Sequence, residues 1–380
     1  MKLGRDVNLA ELPALTMWPG DPAPVITWGQ LHTRPPQVDT AEVASAPNPH
    51  NAASQSRGTD RRHVCVVPLE VRGREELLIH GHEQLELWSL LTEYRSRAQQ
   101  MPVAVVLGGD PVMSIAAWAP LPPRTDGLTF AGFLRNRSVE VVPARTVPLE
   151  VPASAEVVVE GLIDAQTAFE AAEPIARESG FFVGSEAWPL IRVTAITHRA
   201  NPVFPAMVPG TAPAESHWLD RACERLLLPL ARLWIPELRD WRFPFAGACR
   251  HIAFVSIRKT YPQQSRKVMH ALWSLPRVAN AKLLIVVDDD VDVQNENSVW
   301  ASVAAHADPA RDLILWDGPA DPLDHATEIR GVGRKMGIDA TRKASSSVTG
   351  KSLSWTAEID ERLKQRWGEY GLEEWLSGKR

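Results

Sequence analysis

Two glutamates of the segment EPIARE lie five positions apart, just before the apolar run SGFFVG. Glu173 and Glu178 bracket this segment, and Arg177 lies next to the second of them. Two carboxylates held close together compete for protons, which suits one of them to donate a proton at neutral pH. Their spacing does not align them on one helix face, where three or four residues would. An acid/base pair in a loop and two ordinary surface acids are therefore both compatible with the pattern.

Three histidines offer ring nitrogens to a metal or a phosphate. His63, His80 and His82 fall in HVCVVPLEVRGREELLIHGH, where β-forming runs flank the turn RGRE. This pattern predicts a hairpin over 63–82, with His80 and His82 on one face because they are two residues apart in a strand. The alternative for each is an exposed or hydrogen-bonded histidine without a ligand.

Two further segments have the composition of ion or phosphate sites. The run VVDDDVDV (286–293) follows a buried strand. Its aspartates suit Mg²⁺, but caps of turns and helices are favoured because alternating side chains cannot all converge. The segment GVGRKMG (331–337) carries Lys335 and matches neither a P-loop nor a dinucleotide fingerprint. It predicts an ordinary turn, with a phosphate-binding loop as the alternative.

Composition excludes several classes of protein. The 380 residues carry a net charge of −5, which argues against a nucleic-acid or membrane surface. Cys65, Cys223 and Cys249 fit neither a disulfide framework nor a zinc spacing, so we expect a reducing cytoplasm. The start MKLGRDVNLAELP has no apolar signal region, and no apolar run approaches the ~20 residues of a membrane span.

The spacing of apolar residues along the chain predicts two domains and a tail. Residues 1–212 are strand-rich and predict a barrel-like β unit with external helices, interrupted by a mobile Pro/Ala/Ser-rich loop at 35–60. Residues 213–240 hold the clearest helix, a linker between domains. Residues 241–343 alternate strand and helix, which is typical of a layered α/β domain. Residues 344–380 form a polar tail and a charged C-terminal helix.

Several segments together resemble one family over residues 4–343. They are GRDVNLAELPAL, PVAVVLGGDP, LEVPASAEVVVEG, VTAITHR, AFVSIRKTYP, VMHALWS, VVDDDVDV, DPARDLIL and GRKMGIDAT. Because many unrelated segments agree in order, the chain resembles the UbiD family of decarboxylases that use prenylated FMN. The resemblance implies a split β-barrel flavin-binding domain, a linking helix and an α/β C-terminal domain with a C-terminal helix. It does not extend to the additional N-terminal domain that family members usually carry.

The resemblance also implies a chemistry. UbiD-type enzymes decarboxylate aromatic or α,β-unsaturated carboxylic acids reversibly and without oxidation, with the flavin as electron sink and a glutamate returning a proton. EPIARE takes the place of the family's EGPFGE, so Glu178 takes the proton-donor position and Glu173 the supporting one. The implied partners are the acid substrate, a flavin prenyltransferase that supplies the cofactor, and other subunits in a homo-oligomer or a hetero-oligomer with a homologue.

Cofactor contacts follow from the same resemblance. Lys335 stands where the family contacts the flavin phosphate, and Ala119 and Pro120, in AWAPLP, stand where the backbone runs along the flavin. His80 is retained among the residues that hold the flavin and its divalent metal, Mn²⁺ or Mg²⁺, with K⁺ as a further ion.

Three positions depart from the family pattern. In HVCVVP, His63 replaces the metal-binding asparagine and Pro68 replaces the arginine that pairs with the glutamates. The acidic metal ligand becomes Gly127, next to Asp126. A catalytically impaired subunit that works beside an active homologue is therefore the alternative to an enzyme, and Arg177 is the nearest replacement for the lost arginine.

Overall fold

The computed structural model describes residues 1–37, 61–122, 125–184, 187–247, 250–276, 278–343, 353 and 355–371. The chain forms two compact units, residues 1–342 and 343–380. The loop predicted at 35–60 lies outside the described residues from position 38 onward, as do Cys249 and most of the polar tail at 344–354.

The described residues in the first half of the larger unit form thirteen short strands. They are β1 (Lys2–Leu3), β2 (Val25–Ile26), β3 (Gln30–Thr33), β4 (His63–Val66), β5 (Leu69–Arg72), β6 (Glu76–Ile79), β7 (Gln100–Leu107), β8 (Val141–Pro143), β9 (Glu150–Pro152), β10 (Val157–Asp164), β11 (Ile175–Ala176), β12 (Phe182–Val183) and β13 (Ile191–His198). Nine of them form an antiparallel sheet in the order β2-β5-β6-β13-β10-β7-β3-β4, with β1 beside β13. The sheet curls into a half-barrel. The strand pairs β8–β9 and β11–β12 are separate.

Alternation of side chains along the strands builds the half-barrel core. On β7, Met101, Val103 and Val105 point into the main cluster, while Ala104 and Val106 face the β8–β9 hairpin. Three helices lie between the strands: α1 (Glu86–Ser96), α2 (Pro111–Trp118) and α3 (Gly127–Arg135). These are external helices of the kind predicted for the strand-rich residues 1–212.

A second sheet follows helix α4 (Glu215–Trp234), which is the linking helix predicted from sequence. Its strands are β14 (Leu238–Arg242), β15 (Ile252–Ile257), β16 (Leu283–Asp288), β17 (Leu313–Pro319) and β18 (Val332–Asp339), in the order β14-β15-β16-β18-β17. The pairs β15–β16 and β16–β18 are parallel. Helices α5 (Gln264–Leu272) and α6 (Glu296–His306) pack in different core clusters with alternate residues of β15 and β16. This layering is the α/β architecture expected for 241–343.

The hairpin predicted around RGRE is confirmed, with β5 and β6 as its arms, but its predicted extension back to residue 63 is wrong because β4 pairs with β3 at the far edge of the sheet. Pro68 lies in the break between β4 and β5, and His80 and His82 follow β6 rather than lying within it. GVGRKMG forms most of strand β18 rather than a turn. Gly337 lies so close to Met269 that a Cβ atom would come 2.6 Å from the sulfur, so packing against α5 determines this segment.

The smaller unit has helix α7 (Ala357–Gln365), which begins with Thr356 capping the amide of Ile359. Its charged pairs include Lys364 with Asp360 at 3.0 Å. In the part of the chain that the structure describes, no helix has the length and apolarity needed to cross a bilayer.

Candidate active site

A cleft of about 500 Å³ opens between the half-barrel and the α/β half of the larger unit. Its walls are strand β4, the segment 80–87, the end of α2 with residues 117–121, and Arg177 and Glu178. The α/β half contributes Asp220, Arg250 and the segment around 321–323. The volume lies within the ~300–1,000 Å³ typical of cofactor and small-ligand sites.

Glu178 reaches the cleft from a tight turn between β11 and β12. The amide of Gly180 donates to the carbonyl of Arg177 at 3.0 Å, and the amide of Arg177 donates to the carbonyl of Phe181 at 3.0 Å. Gly180 has φ +81°, a left-handed conformation that glycine adopts without strain. The turn holds Glu178 half-buried with its carboxylate 3.3 Å from Nε of Arg177.

Contacts on both sides fix this turn. Asp21 accepts a hydrogen bond from the amide of Ala176 at 2.9 Å. On the other side, the hydroxyl of Ser179 lies 3.2 Å from Nε2 of His325, and the ring of Phe181 packs 4.3 Å from the same imidazole. The carboxylate of Glu178 is therefore carried by a segment held from two directions.

The structure separates the two glutamates of EPIARE. Glu173 is exposed and lies outside the lining of the cleft, whereas Glu178 lies on its wall. Ile175, between them, is buried and paired with Val183 in the β11–β12 hairpin. The charged neighbour of Glu178 is therefore Arg177 rather than Glu173, and Arg177 is 9% exposed.

His80 and His82 line the cleft beside Arg177. Nε2 of His80 lies 2.8 Å from the carboxylate of Glu70, and both side chains are buried. Burial lowers the pKa of His80 despite the opposing effect of Glu70, and the charge of Arg177 lowers it further. Burial, followed by the charge of Arg177, lowers the pKa of His82 to about 4. Both imidazoles are therefore neutral at physiological pH, and Nδ1 of each has no hydrogen-bond partner among the described residues.

His63 projects from β4 into the same cleft and pairs with the first residue of α1. Its Nδ1 lies 3.3 Å from the carboxylate of Glu86, which also pairs with Arg61 at 2.8 Å. Pro68 lines the cleft too, and its carbonyl accepts the amide of His80 at 2.9 Å. Proline here supplies a backbone acceptor and no cation.

Ala119 and Pro120 form part of the wall that follows α2. Just before them, the indole of Trp118 donates to Asp220 of α4 at 2.6 Å, and Arg250 lies 3.5 Å from the same carboxylate. These contacts tie the half-barrel to the α/β half at the floor of the cleft.

Lys335 lies beneath the cleft rather than on its wall. It is 2% exposed on β18, its ammonium donates to the carbonyl of Ala279, and it lies 5.9 Å from the ring of Trp316. Burial lowers its pKa to about 8. Asn280, next to the carbonyl it binds, is a cleft residue.

His63 and His80 both line the cleft, but the acidic residue expected beside them does not. Asp126 caps α3 through the amide of Thr129 at 2.8 Å and pairs with Arg62 at 2.9 Å. Gly127 lines the cleft without a side chain. Across the described residues no group of three or more His, Cys, Asp or Glu side chains is arranged to hold a metal ion. Asp289 and Asp290 pair with Arg258 and Arg342, and Asp292 caps a turn, the role that the sequence favoured.

Sequence reasoning did not assign Cys65, Glu70 or Glu86 to the site. Glu70 and Glu86 come from β5 and α1, and their contacts with His80 and His63 depend on the folded sheet. Cys65 had a usable signal, because it stands two residues after His63 in a strand and must share its face.

Two family models match the chain. The 3-octaprenyl-4-hydroxybenzoate carboxy-lyase Rift-related domain matches residues 1–212, and the C-terminal domain of the same enzymes matches residues 217–340. An uncharacterised protein of Aquifex aeolicus is 33% identical over 374 residues, which cover 97% of this chain and 72% of that protein.

Solved structures agree with the sequence matches. The UbiD-class enzyme HmfF of Pelotomaculum thermopropionicum, in complex with FMN, superposes with a TM-score of 0.77 at 26% identity, covering 94% of this chain and 75% of its own. The vanillic acid decarboxylase ShVdcCD of Sedimentibacter hydroxybenzoicus, in closed form, has a TM-score of 0.84 at 23% identity, covering 96% and 74%, and shares the fold. The chain belongs to the UbiD family of carboxy-lyases.

Proposed function

We propose that the chain is a decarboxylase that uses prenylated FMN and acts on an aromatic or α,β-unsaturated carboxylic acid, with Glu178 as the proton donor. The observation that carries the proposal is the position of Glu178, held by its turn on the wall of the cleft and paired with Arg177. The retained fold and the similarity to HmfF, whose structures contain FMN and, in an evolved dimeric form, prFMN, support the same cofactor.

The cleft fits a flavin. It offers about 500 Å³, an apolar wall on β4 and at Ala119 and Pro120, and the cations Arg177 and Arg250. The buried Nδ1 atoms of His80 and His82 lack partners among the described residues, which is typical of polar atoms that face a ligand. His80, Ala119 and Pro120 would therefore contact the flavin, while Lys335 would act from beneath the wall through Asn280 and its neighbours.

Bound prenylated flavin supplies the electron sink for loss of carbon dioxide. The residues of this chain provide the rest. Glu178 delivers a proton to the carbon that has lost the carboxylate, and Arg177 keeps the Glu178 side chain in place. The neutral ring of His80, held by Glu70, keeps a fixed hydrogen-bonding edge toward the cleft.

No step is assigned to a metal. Mn²⁺, Mg²⁺ and K⁺ were expected from the family, but His63 is committed to Glu86, His80 to Glu70, and Gly127 has no ligand atom. These departures favour a second candidate, a subunit with impaired catalysis that works in a hetero-oligomer with an active homologue. Purification of the tagged chain from its native cells tests this candidate, which requires a co-purifying homologous subunit.

The proposal carries three further expectations. A flavin prenyltransferase supplies the cofactor, the chain works in the cytoplasm, and it assembles into a homo-oligomer unless the second candidate holds.

The experiment is co-expression with a flavin prenyltransferase. We expect the purified protein to carry a stoichiometric flavin, seen in its absorbance spectrum, and to release carbon dioxide from at least one acid in a panel of aromatic and α,β-unsaturated acids. A colourless protein that stays inactive after reconstitution would contradict the proposal.

A further inference from the structure

A small side pocket adjoins the cleft at Glu178. It shares Thr27, Pro68, Arg177 and Glu178 with the wall of the cleft, and its volume is about 20 Å³. A buried water molecule requires a space of ~10–15 Å³. The side pocket therefore has room for one water or a group of similar size, beside the residue that we propose as the proton donor.

Hydrogen bonds hold the walls of the side pocket in place. The indole of Trp18 donates to the carbonyl of Pro209 at 2.7 Å, which ties the segment around Asp21 to residues 207–209. The two carboxylate oxygens of Asp21 accept hydrogen bonds from the amides of Trp18 and Ala176, each at 2.9 Å. The side pocket is thus bounded by segments that the fold itself fixes.

Two buried hydroxyls of the side pocket have unused hydrogen-bonding capacity. Ser216, in the first turn of α4, is 4% exposed, and its side chain forms no hydrogen bond with another described residue. The hydroxyl of Thr27 accepts the amide of Met207 at 2.9 Å, which leaves its own O–H group to donate. Because buried polar groups are normally hydrogen-bonded, these hydroxyls indicate an occupant that can both accept and donate.

A water molecule fits these walls better than the alternatives do. An apolar substituent of a substrate would fit beside Met207 and Ile175, but it would leave the buried hydroxyl of Ser216 unpaired. A metal cation would lie beside the guanidinium of Arg177, and both oxygens of Asp21 already accept amides. Only a small, neutral group with donors and acceptors meets all of these conditions.

The proposed reaction creates a use for such a water. Each turnover leaves Glu178 as a carboxylate, which must gain a proton from solvent before the next turnover. The cleft side of Glu178 faces the reactants, whereas the side pocket extends to Val208, which is 48% exposed, and to the half-buried Asp21. The side pocket therefore offers a route from solvent to Glu178 that does not cross the cleft.

We propose that the side pocket holds one ordered water, hydrogen-bonded to Ser216 and Glu178, that returns a proton to Glu178 after each turnover. An O–H bond of the water breaks as its proton passes to the carboxylate, and the oxygen regains a proton from bulk solvent at the outer end of the side pocket. One solvent proton is thus consumed for each carbon dioxide released. Ser216 is a positioning residue, because it acts through the water. This inference rests on the proposed function, which makes Glu178 the proton donor.

The kinetic test compares Ser216→Ala with Ser265→Ala in the flavin-loaded full chain. Ser216→Ala breaks no hydrogen bond between described residues, so we expect an unchanged thermal midpoint. We expect kcat for carbon dioxide release to fall by ~3–10-fold, the effect of one lost hydrogen bond, with KM unchanged and with a larger solvent isotope effect in D₂O. Ser265, on α5, is the matched control, since it is fully buried, its hydroxyl has no partner among the described residues, and it lies outside both the cleft and the side pocket. Ser265→Ala should match the wild type in rate and isotope effect.

A crystal structure of the flavin-free chain gives a readout that does not depend on activity. We expect an ordered water within ~2.6–3.2 Å of the Ser216 hydroxyl and of the Glu178 carboxylate, and its loss or displacement in Ser216→Ala. An unchanged kcat and isotope effect in Ser216→Ala, or a side pocket without this water, would overturn the inference and leave the decarboxylation intact. A wild type that releases no carbon dioxide from any acid would instead contradict the proposed function, and the proton return with it.

Discussion

Nε of Arg177 lies 3.3 Å from the carboxylate of Glu178, its neighbour in the chain, on the wall of the cleft. Adjacent residues in a regular strand point to opposite faces, so this contact exists because the two residues occupy a turn. The turn places the Arg177 cation beside Glu178, the proposed proton donor. Pro68, which lines the same cleft, has no charged side chain to offer there. We propose that Arg177 takes over the role of the family arginine that Pro68 replaces.

Removal of this cation should slow the reaction without unfolding the chain. We expect Arg177→Met to reduce carbon dioxide release by the flavin-loaded protein by ~10–100-fold, because a hydrogen bond to a charged group contributes ~1.5–3 kcal/mol. Arg192→Met is the matched control, since the Arg192 side chain is 78% exposed on β13. Equal rates for the two variants would contradict a role for Arg177.

The same variant has a spectroscopic signature. The charge of Arg177 contributes to the lowered pKa of His82, which is about 4. In Arg177→Met we expect this pKa to rise toward the ordinary value, while burial, the larger cause, keeps it below about 6.5. Titration of the imidazole protons by NMR measures the change, and an unmoved His82 would show that Arg177 does not act on the cleft.

His32 should make the fold sensitive to acid. It is 2% exposed on β3, and burial lowers its pKa to about 3. In the unfolded chain His32 binds a proton near pH 6.5, whereas in the folded chain it stays neutral until about pH 3. The stability of the folded chain is therefore highest above pH 6.5 and declines as the pH falls toward 3. Between about pH 6.5 and 4.5 we expect the free energy of unfolding to fall by ~2–3 kcal/mol more in the wild type than in His32→Leu. Urea titrations at the two pH values measure this, and parallel pH profiles would refute it.

The buried pair of Glu70 and His80 should matter for stability. Glu70 also forms an ion pair with Arg72, whose Nε lies 2.7 Å from the Glu70 carboxylate, so loss of Glu70 leaves two groups without their partner. We expect Glu70→Ala to lower the free energy of unfolding by ~1–3 kcal/mol, the cost of leaving a buried hydrogen-bonding group unpaired. Glu75→Ala, at an exposed position in the adjoining turn, should stay within ~0.5 kcal/mol of the wild type. Similar denaturation midpoints for both variants would be inconsistent with the pairing.

Chelation should have no effect. Because no three-ligand group occurs among the described residues, we expect EDTA dialysis to leave the thermal midpoint and the flavin content unchanged. Loss of flavin on dialysis, with recovery after Mn²⁺ is added, would place a metal in the site after all.

Sequence patterns located most elements of the fold, and the exceptions have physical causes. The pattern of apolar residues identified the linking helix α4, and the alternation of strand and helix identified the α/β half. Strand β18 was missed because its glycines and basic residues are typical of a turn, whereas Gly337 is required for close contact with Met269. The β4 strand was misplaced because its pairing with β3 spans a long intervening segment.

The site was less predictable than the fold. Resemblance singled out Glu178, and the structure places it on the cleft wall. The same EPIARE pattern also assigned Glu173 to the site. The residues between Glu173 and Glu178 differ from the family pattern, so the chain follows a different local path and Glu173 is exposed. The contact of His63 with Glu86 joins β4 to α1, and spacing along the chain carries no signal for it.

The central claim is that Glu178, not Glu173, returns the proton, and the rate of carbon dioxide release from flavin-loaded Glu178→Gln and Glu173→Gln, measured side by side, tests it most directly. We predict that Glu178→Gln loses ~10²–10⁴-fold in rate, the usual contribution of a general acid, while binding flavin normally, and that Glu173→Gln keeps the wild-type rate. Full activity in Glu178→Gln, or an equal loss in both variants, would contradict the account.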